Sequence, residues 1–427
     1  MTATTIQPIE HQHVEAREDR IQRLSTGTLL VIVGLLLGWG FLGTEGDATI
    51  ALSDAFDAVQ LPALVFPGAI TVAVTAVIVF VAGAWFLLRR PNKAVGATLG
   101  AIAGIGVILG LIVWAAAGSD LPFTLTNQLN GTLKVATPLV FGALCGVLSE
   151  RAGVVNVAIE GQFLTAAFAA AITGSLTGSL TAGLIAGVLA GVAMAGVLAL
   201  FTLKYLVDHV ILSVVINLLA SGLTGFLFHQ LVSADPARFN SVPIMPRIPI
   251  PLLESIPFIG PILFNQSALA YIAFLMVPFV WFLLYKTKWG LRVRSVGEHP
   301  HAADTVGINV VRTKASSVLV GGVMAGFGGA YFTVGSIGAF RPDLTVGNGF
   351  IALAAVIMGR WHPVLAALMA VFFGFVTQLG QTLNPLGTPI DSSFLLMLPY
   401  VATLIAVAGL VGRVRPPAAD GKPFVKS

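Results

Sequence analysis

The chain is a succession of long, uncharged, apolar stretches joined by short polar connections. From Ala152 to Leu203 the only formal charge is Glu160, and from Ala315 to Gly338 there is none. Stretches of this kind suit hydrocarbon rather than water. There a backbone N–H or C=O has no solvent to bond, so each segment must satisfy its own groups, which only a helix does within one stretch. About 20 apolar residues cross a bilayer core as a helix. The pattern therefore predicts an all-α integral membrane protein, a polytopic helical bundle. Composition agrees: 56% of residues are hydrophobic and 10% charged, against about 25% charged in soluble domains.

Taken in order, residues 1–24 form a polar tail. Apolar segments follow at about 25–42, 62–88 and 95–117. Further ones lie at about 133–148, 163–173, 179–203, 211–232, 267–285, 315–338, 350–358, 363–383 and 394–411, and a basic tail covers 413–427. This gives about 10–12 segments, some short or broken. Two are too short to cross alone, Phe163–Thr173 and Phe350–Met358. A helix of about ten residues spans about 15 Å, half of a core about 30 Å thick. Both are expected to be half-helices or re-entrant pieces, which are tolerated where protein or a cavity surrounds them. Interrupted segments in both halves of a chain point to a substrate pathway. Glycines 183, 187 and 191 recur every fourth residue and predict close packing along one helix face. The proline-rich stretch 233–266 reads as an irregular connection.

The Lys and Arg residues orient the chain. Alternating the segments from an internal N-terminus puts all of them inside except Lys134, Arg238, Arg247 and Arg341. Basic residues beside spans resist translocation, so both termini are expected in the cytoplasm. The same holds for the loop 286–314, with six Lys/Arg against Glu298 and Asp304. The net charge of +4 is spread among these flanks and does not form a nucleic-acid-binding patch. A single cysteine, Cys145, excludes an internal disulfide.

Glu160 stands alone in its stretch, and a carboxylate at membrane depth costs several kcal/mol unless paired or wetted. Asn156 and Gln162 are close in sequence; on a helix, Asn156 and Glu160 share a face. Two readings stay open. Glu160 lines a polar path, or it caps and pins a broken helix through backbone N–H groups. Asn217 is an uncharged polar group within a span, a pathway candidate or an interhelical bond. Asn348 and Phe350 stand where a short segment enters the membrane, with Gly347 and Gly349 permitting the break. Trp289 and Trp361 read as interfacial anchors. Motifs for binding ATP phosphates, for a helical zinc site and for a nucleophile elbow are missing. No metal site is expected, and no catalysis by this chain. Any ATP that energises it binds another polypeptide.

Four blocks occur in order: ERAGVVNVAIEGQFL (150–164), GLRVRSVGEHPHAADTVGINV (290–310), GGVMAGFGGAYF (321–332) and GNGFIALAAVIMGRWHP (347–363). Together they resemble the permease subunits of bacterial ABC importers. The branch is that of nucleosides and simple sugars, related to the branched-chain amino-acid permeases. The resemblance covers roughly 130–412 and leaves the spans of 25–129 outside it. It implies a nucleoside permease in the bacterial cell membrane, with a simple-sugar permease as alternative. An ion-coupled secondary transporter is the reading from another class, although Glu160 is the only ionisable group inside a span that would serve it. It also implies three partners: a cytoplasmic ATPase subunit with two ATPase domains, a second paralogous permease, and an external substrate-binding lipoprotein. Asn156, Glu160, Gln162, Asn217, Asn348 and Phe350 become candidates for the substrate pathway. Gly297, Glu298, His301, Ala302, Ala303, Asp304 and Gly307 become candidates for the ATPase-coupling loop. Physical chemistry predicts the form of that element, a short helix over about Pro300–Val306. Proline is suited to its first turn and Gly307 to its end.

Overall fold

The computed structural model describes residues 17–54, 59–386, 394, 397, 400, 401 and 415–426. Helix α1 (Arg17–Phe41) leads to strands β1 (Asp47–Ala51) and β2 (Leu64–Pro67), then to helices α2 (Gly68–Leu88) and α3 (Lys93–Ala116). Strand β3 (Phe123–Thr124) precedes α4 (Leu125–Arg151), α5 (Ile159–Thr177), α6 (Leu180–Leu203) and α7 (His209–Leu227). A connection with α8 (Pro236–Phe239), β4 (Arg247–Pro249), α9 (Ile259–Leu263) and β5 (Asn265–Ser267) follows. Then come α10 (Ala268–Lys286), α11 (Lys288–Glu298), α12 (Pro300–Thr305), α13 (Val310–Phe332), α14 (Asn348–Met358) and α15 (Pro363–Leu383).

Among the described residues, nine helices are long and apolar enough to cross a membrane. The chain is a polytopic helical membrane protein. The expected segment 394–411 lies largely outside the described residues. All strands gather at one end of the bundle. There β1 pairs antiparallel with β2 and parallel with β3, and β4 pairs antiparallel with β5. Helices α11 and α12 lie at the other end, with the turns at 152–158 and 359–362.

The core forms around α4, α13, α14 and α15. The glycine stripe does what its spacing predicts. A Cβ on Gly191 would lie 2.6 Å from the Gly326 nitrogen, and one on Gly187 would lie 2.9 Å from the Ala330 methyl. Helices α6 and α13 therefore meet backbone to backbone. Helices α1–α3 form a separate layer. It joins the rest where Val72, Ile112 and Phe123 pack with Leu379, Leu383 and Leu386 near the strand end of α15.

Three expectations change. The run 163–173 belongs to a helix of 19 residues, α5, about 28 Å long, and is not a half-helix. Its apolar signal was cut short at one end by Glu160 and Gln162. At the other end Ser175 and Thr177 fold their hydroxyls back onto the carbonyls of Ala171 and Thr173, each at 2.7 Å. Trp361 is not an interfacial anchor. It is 5% exposed, and its indole N–H donates to Glu150 Oε2. The connection 233–266 is partly ordered into short elements. Its strand β4 finds a partner in β5, which local sequence does not announce. The other short segment stays short: α14 has 11 residues, Asn348–Met358, and starts two residues before the expected run 350–358.

Candidate functional site

Helices α5 and α14 both begin inside the bundle. Ile159, the first residue of α5, packs near Gly142 and Gly146 of α4. Those positions lie on the order of 8–14 Å from the end of α4 at Arg151. The chain reaches that depth through 152–158, a non-helical stretch. Asn156 and Glu160 therefore do not share a helix face.

Glu160 bonds the start of α14. The Thr345 hydroxyl donates to Oε1 at 2.6 Å, the Gly347 N–H to Oε1 at 2.8 Å, and the Gly349 N–H to Oε2 at 2.7 Å. Unpaired N–H groups and the positive end of the helix dipole make this a favourable place for a carboxylate. A charged side chain at the centre of a span costs about 2.5–3.5 kcal/mol on insertion scales. Hydrogen bonds to a charged group contribute about 1.5–3 kcal/mol each, so three offset that cost. Gly349 is required by the approach: a Cβ there would lie 2.4 Å from the Glu160 nitrogen. Of the two readings of Glu160, its contacts are those of a cap, and the helix it caps is α14 rather than its own.

The loop before α14 is strained. Asp343, Val346 and Gly347 have φ of 53°, 45° and 77°. Positive φ is an outlier for a β-branched residue such as Val346 and costs on the order of 1–3 kcal/mol. Glu160 and the bond from the Ser221 hydroxyl to Asp343 Oδ1, 2.9 Å, hold the loop in place.

The other end of α14 is held by the same segment that carries Glu160. Arg151 donates from Nε to the Trp361 carbonyl at 2.8 Å and from Nη2 to the Arg360 carbonyl at 3.3 Å. A cation at a helix C-terminus and a carboxylate at its N-terminus both match the macrodipole. The block 150–160 is thus a bracket around α14.

Asn217, on α7, holds the start of α5. Its Oδ1 accepts from the Gly161 N–H at 2.8 Å, and its Nδ2 donates to the Val157 carbonyl at 3.0 Å. Asn156 and Gln162 are fully buried. Asn156 Nδ2 donates to Ser149 Oγ at 3.3 Å, and Ala158 N–H donates to Asn156 Oδ1 at 3.2 Å. Asn348 closes the turn, donating from Nδ2 to the Thr345 carbonyl at 2.8 Å. Phe350 points outward and is half exposed. The six pathway candidates thus fall into two groups: Asn156 and Gln162 inside, and Glu160, Asn217, Asn348 and Phe350 at or near a surface. Sequence reasoning missed Arg151, Thr345 and Ser221. Arg151 stood at the head of the most distinctive block, but its partners are more than 200 residues away.

At the far end, α12 spans Pro300–Thr305 with proline in its first turn, and Gly307 follows at φ 84°. His301, Ala302, Thr305 and Val306 are exposed, while Ala303 is buried with Val296 and Val310. The short helix is anchored on one side and free on the other.

Residues 128–408 match a family described as the permease component of branched-chain amino acid transport systems. The chain is 39% identical to the nucleoside ABC transporter permease protein NupC of Lactococcus lactis, over 71% of this chain and 98% of that protein. It is 37% identical to the guanosine ABC transporter permease protein NupQ of Bacillus subtilis, over 72% and 99%. It is 29% identical to the glucose ABC transporter permease protein TsgB13 of Haloferax volcanii, over 70% and 82%. No solved structure matches.

Proposed function

The chain belongs to the family of permease components of branched-chain amino acid transport systems, and from that membership we propose that it is the membrane permease of an ABC importer for nucleosides. The observation that carries the substrate class is the similarity, over nearly their whole length, to permeases named for nucleosides and guanosine. The likeness to a glucose permease favours simple sugars as the second reading. The chain hydrolyses nothing; ATP binds a cytoplasmic partner with two ATPase domains. An external lipoprotein delivers substrate.

The strand end faces outward, and α11, α12 and both termini face the cytoplasm of a bacterial cell. The free side of α12, with Ala302, Thr305 and Val306, enters the ATPase, and Gly297, Glu298, His301, Ala303, Asp304 and Gly307 shape its mount. The pathway runs past Glu160, Asn217, Asn348 and Phe350, with Asn156 and Gln162 holding the floor behind them. Phe350, Val346 and Leu218 of α7 are exposed on this side, beside Glu160, Asn217 and Asn348. A second permease supplies the opposite wall. Closure of the ATPase rocks the spans between outward-open and inward-open states.

Uptake of labelled nucleosides and sugars by cells with and without this gene tests the substrate. ATP-dependent nucleoside uptake that disappears with the gene supports the reading. Uptake of sugar alone moves it to the second, and uptake driven by an ion gradient without ATP discards both.

A further inference from the structure

The C-terminal segment, residues 415–426, does not hang free. Its Ala419 N–H donates to the Gly297 carbonyl at 2.9 Å, and its Ala418 N–H donates to Glu298 Oε2 at 3.2 Å. The Phe424 ring lies 5.2 Å from that of His301 and packs with Val296, Ala303 and Val310. Lys426 Nζ is 3.9 Å from Asp304 Oδ1. The segment therefore grips α11, the junction at Glu298, and α12.

Its other side touches the bracket. A Cβ on Gly153 would lie 3.0 Å from the Ala419 carbonyl oxygen, and one on Gly421 would lie 3.2 Å from Val155. Ala419 is 4% exposed. Lys314 Nζ, from the second turn of α13, donates to the Gly153 carbonyl at 3.3 Å. Asp420 lies deep enough that burial pushes its carboxyl up to about 8, with Glu150 adding to the push and Lys314 opposing it. Residues 153–155 lead directly to Asn156 and to Glu160. The segment thus touches both the element that meets the ATPase and the strip that holds the start of α14.

We propose that residues 415–426 are a mechanical link that carries displacement of α12 to the 152–158 strip, and through it to the Glu160 contact with α14. The proposal rests on the ATPase-coupling reading above. Contacts on two sides distinguish a link from a tail laid over one surface. On one side are a backbone bond, a carboxylate bond, a ring contact and an ion pair. On the other is close backbone packing at a buried alanine. The ion pair, being exposed, contributes little. The backbone bond at Ala419 and the Phe424 packing hold the link.

The test uses the complete transporter, ATPase included, in proteoliposomes. One variant lacks residues 415–427; a second, Ala419→Pro, removes the donor to Gly297 and leaves the length unchanged. Three quantities are read: ATPase retained on purification, stimulation of ATP hydrolysis by substrate-loaded binding protein, and uptake. The link predicts that both variants keep the ATPase but lose stimulation and uptake at least tenfold, and that a synthetic peptide of residues 415–427 restores part of both to the truncated chain. Uptake equal to or above that of the unaltered chain in either variant overturns the link, the higher value marking a brake instead. Loss of the ATPase from the variants alone also overturns it and makes the segment a docking surface. Failure of the unaltered chain to hold any ATPase overturns the coupling reading itself, and the link with it.

Discussion

Helices α5 and α14 start beside each other inside the bundle, yet their starts are secured by different means. Helix α5 has 19 residues, and most of its face is buried between α4, α6, α7 and α13. Its first turn is held by a neutral amide, Asn217. Helix α14 has 11 residues, too short to be stable alone. It follows a loop with positive φ at Val346 and carries a charged partner at each end, Glu160 and Arg151. A long helix is secured by packing along its length and a modest cap suffices. A short helix on a strained loop has fewer residues to pack, and charge-assisted bonds at its ends add to the core contacts of Ile351, Ala352, Ala355 and Val356.

The largest effect should come from Gly349→Val. Its branched side chain would enter the space of the Glu160 backbone, so α14 cannot seat, and ATP-dependent uptake should fall to background. Uptake near the unaltered level would break the comparison at its root. Glu160→Ala comes next. It leaves a hydroxyl and two N–H groups without their acceptor, at about 1–3 kcal/mol for each buried group. Uptake should drop on the order of 100-fold, and Glu160→Gln, which keeps one good acceptor, should recover part of it. Arg151→Ala frees the other end of α14, where exposure is greater. A loss of about tenfold in uptake, with a small fall in thermal stability in detergent, is expected. Asn217→Ala should be mildest. A neutral cap contributes about 1 kcal/mol, and packing keeps α5 in place, so uptake should fall only a few-fold. If Asn217→Ala proves worse than Glu160→Ala, the contrast between the two starts is reversed.

Much of this was legible from local pattern. The glycine stripe at 183, 187 and 191 announced a close contact along one face of α6, because small residues at that spacing let backbones approach; that α13 is the partner was not in the spacing. Pro300 and Gly307 marked the ends of α12 because their backbone preferences are local. The shortness of α14 followed from the apolar run 350–358, with Gly347 and Gly349 marking the break before it. What stayed hidden depends on distant partners. Gln162 and Glu160 looked like the edge of a short segment, because nothing nearby says that residues 345–349 receive the carboxylate. Trp361 looked like an anchor because its partner, Glu150, lies 211 residues away in the chain. The grip of 415–426 on α12 was invisible for the same reason: a basic, proline-containing tail carries no periodicity that names its receptor.

Glu160 holds the start of α14, and we propose that this contact lies in the substrate's path and is moved by a partner ATPase. The most direct measurement is uptake of labelled guanosine into proteoliposomes that contain the full complex, with the unaltered chain and with Glu160→Ala side by side, ATP inside. The account predicts ATP-dependent accumulation by the first and a loss on the order of 100-fold in the second, with the ATPase still bound. Equal accumulation by both, with the variant folded and its ATPase in place, would contradict it.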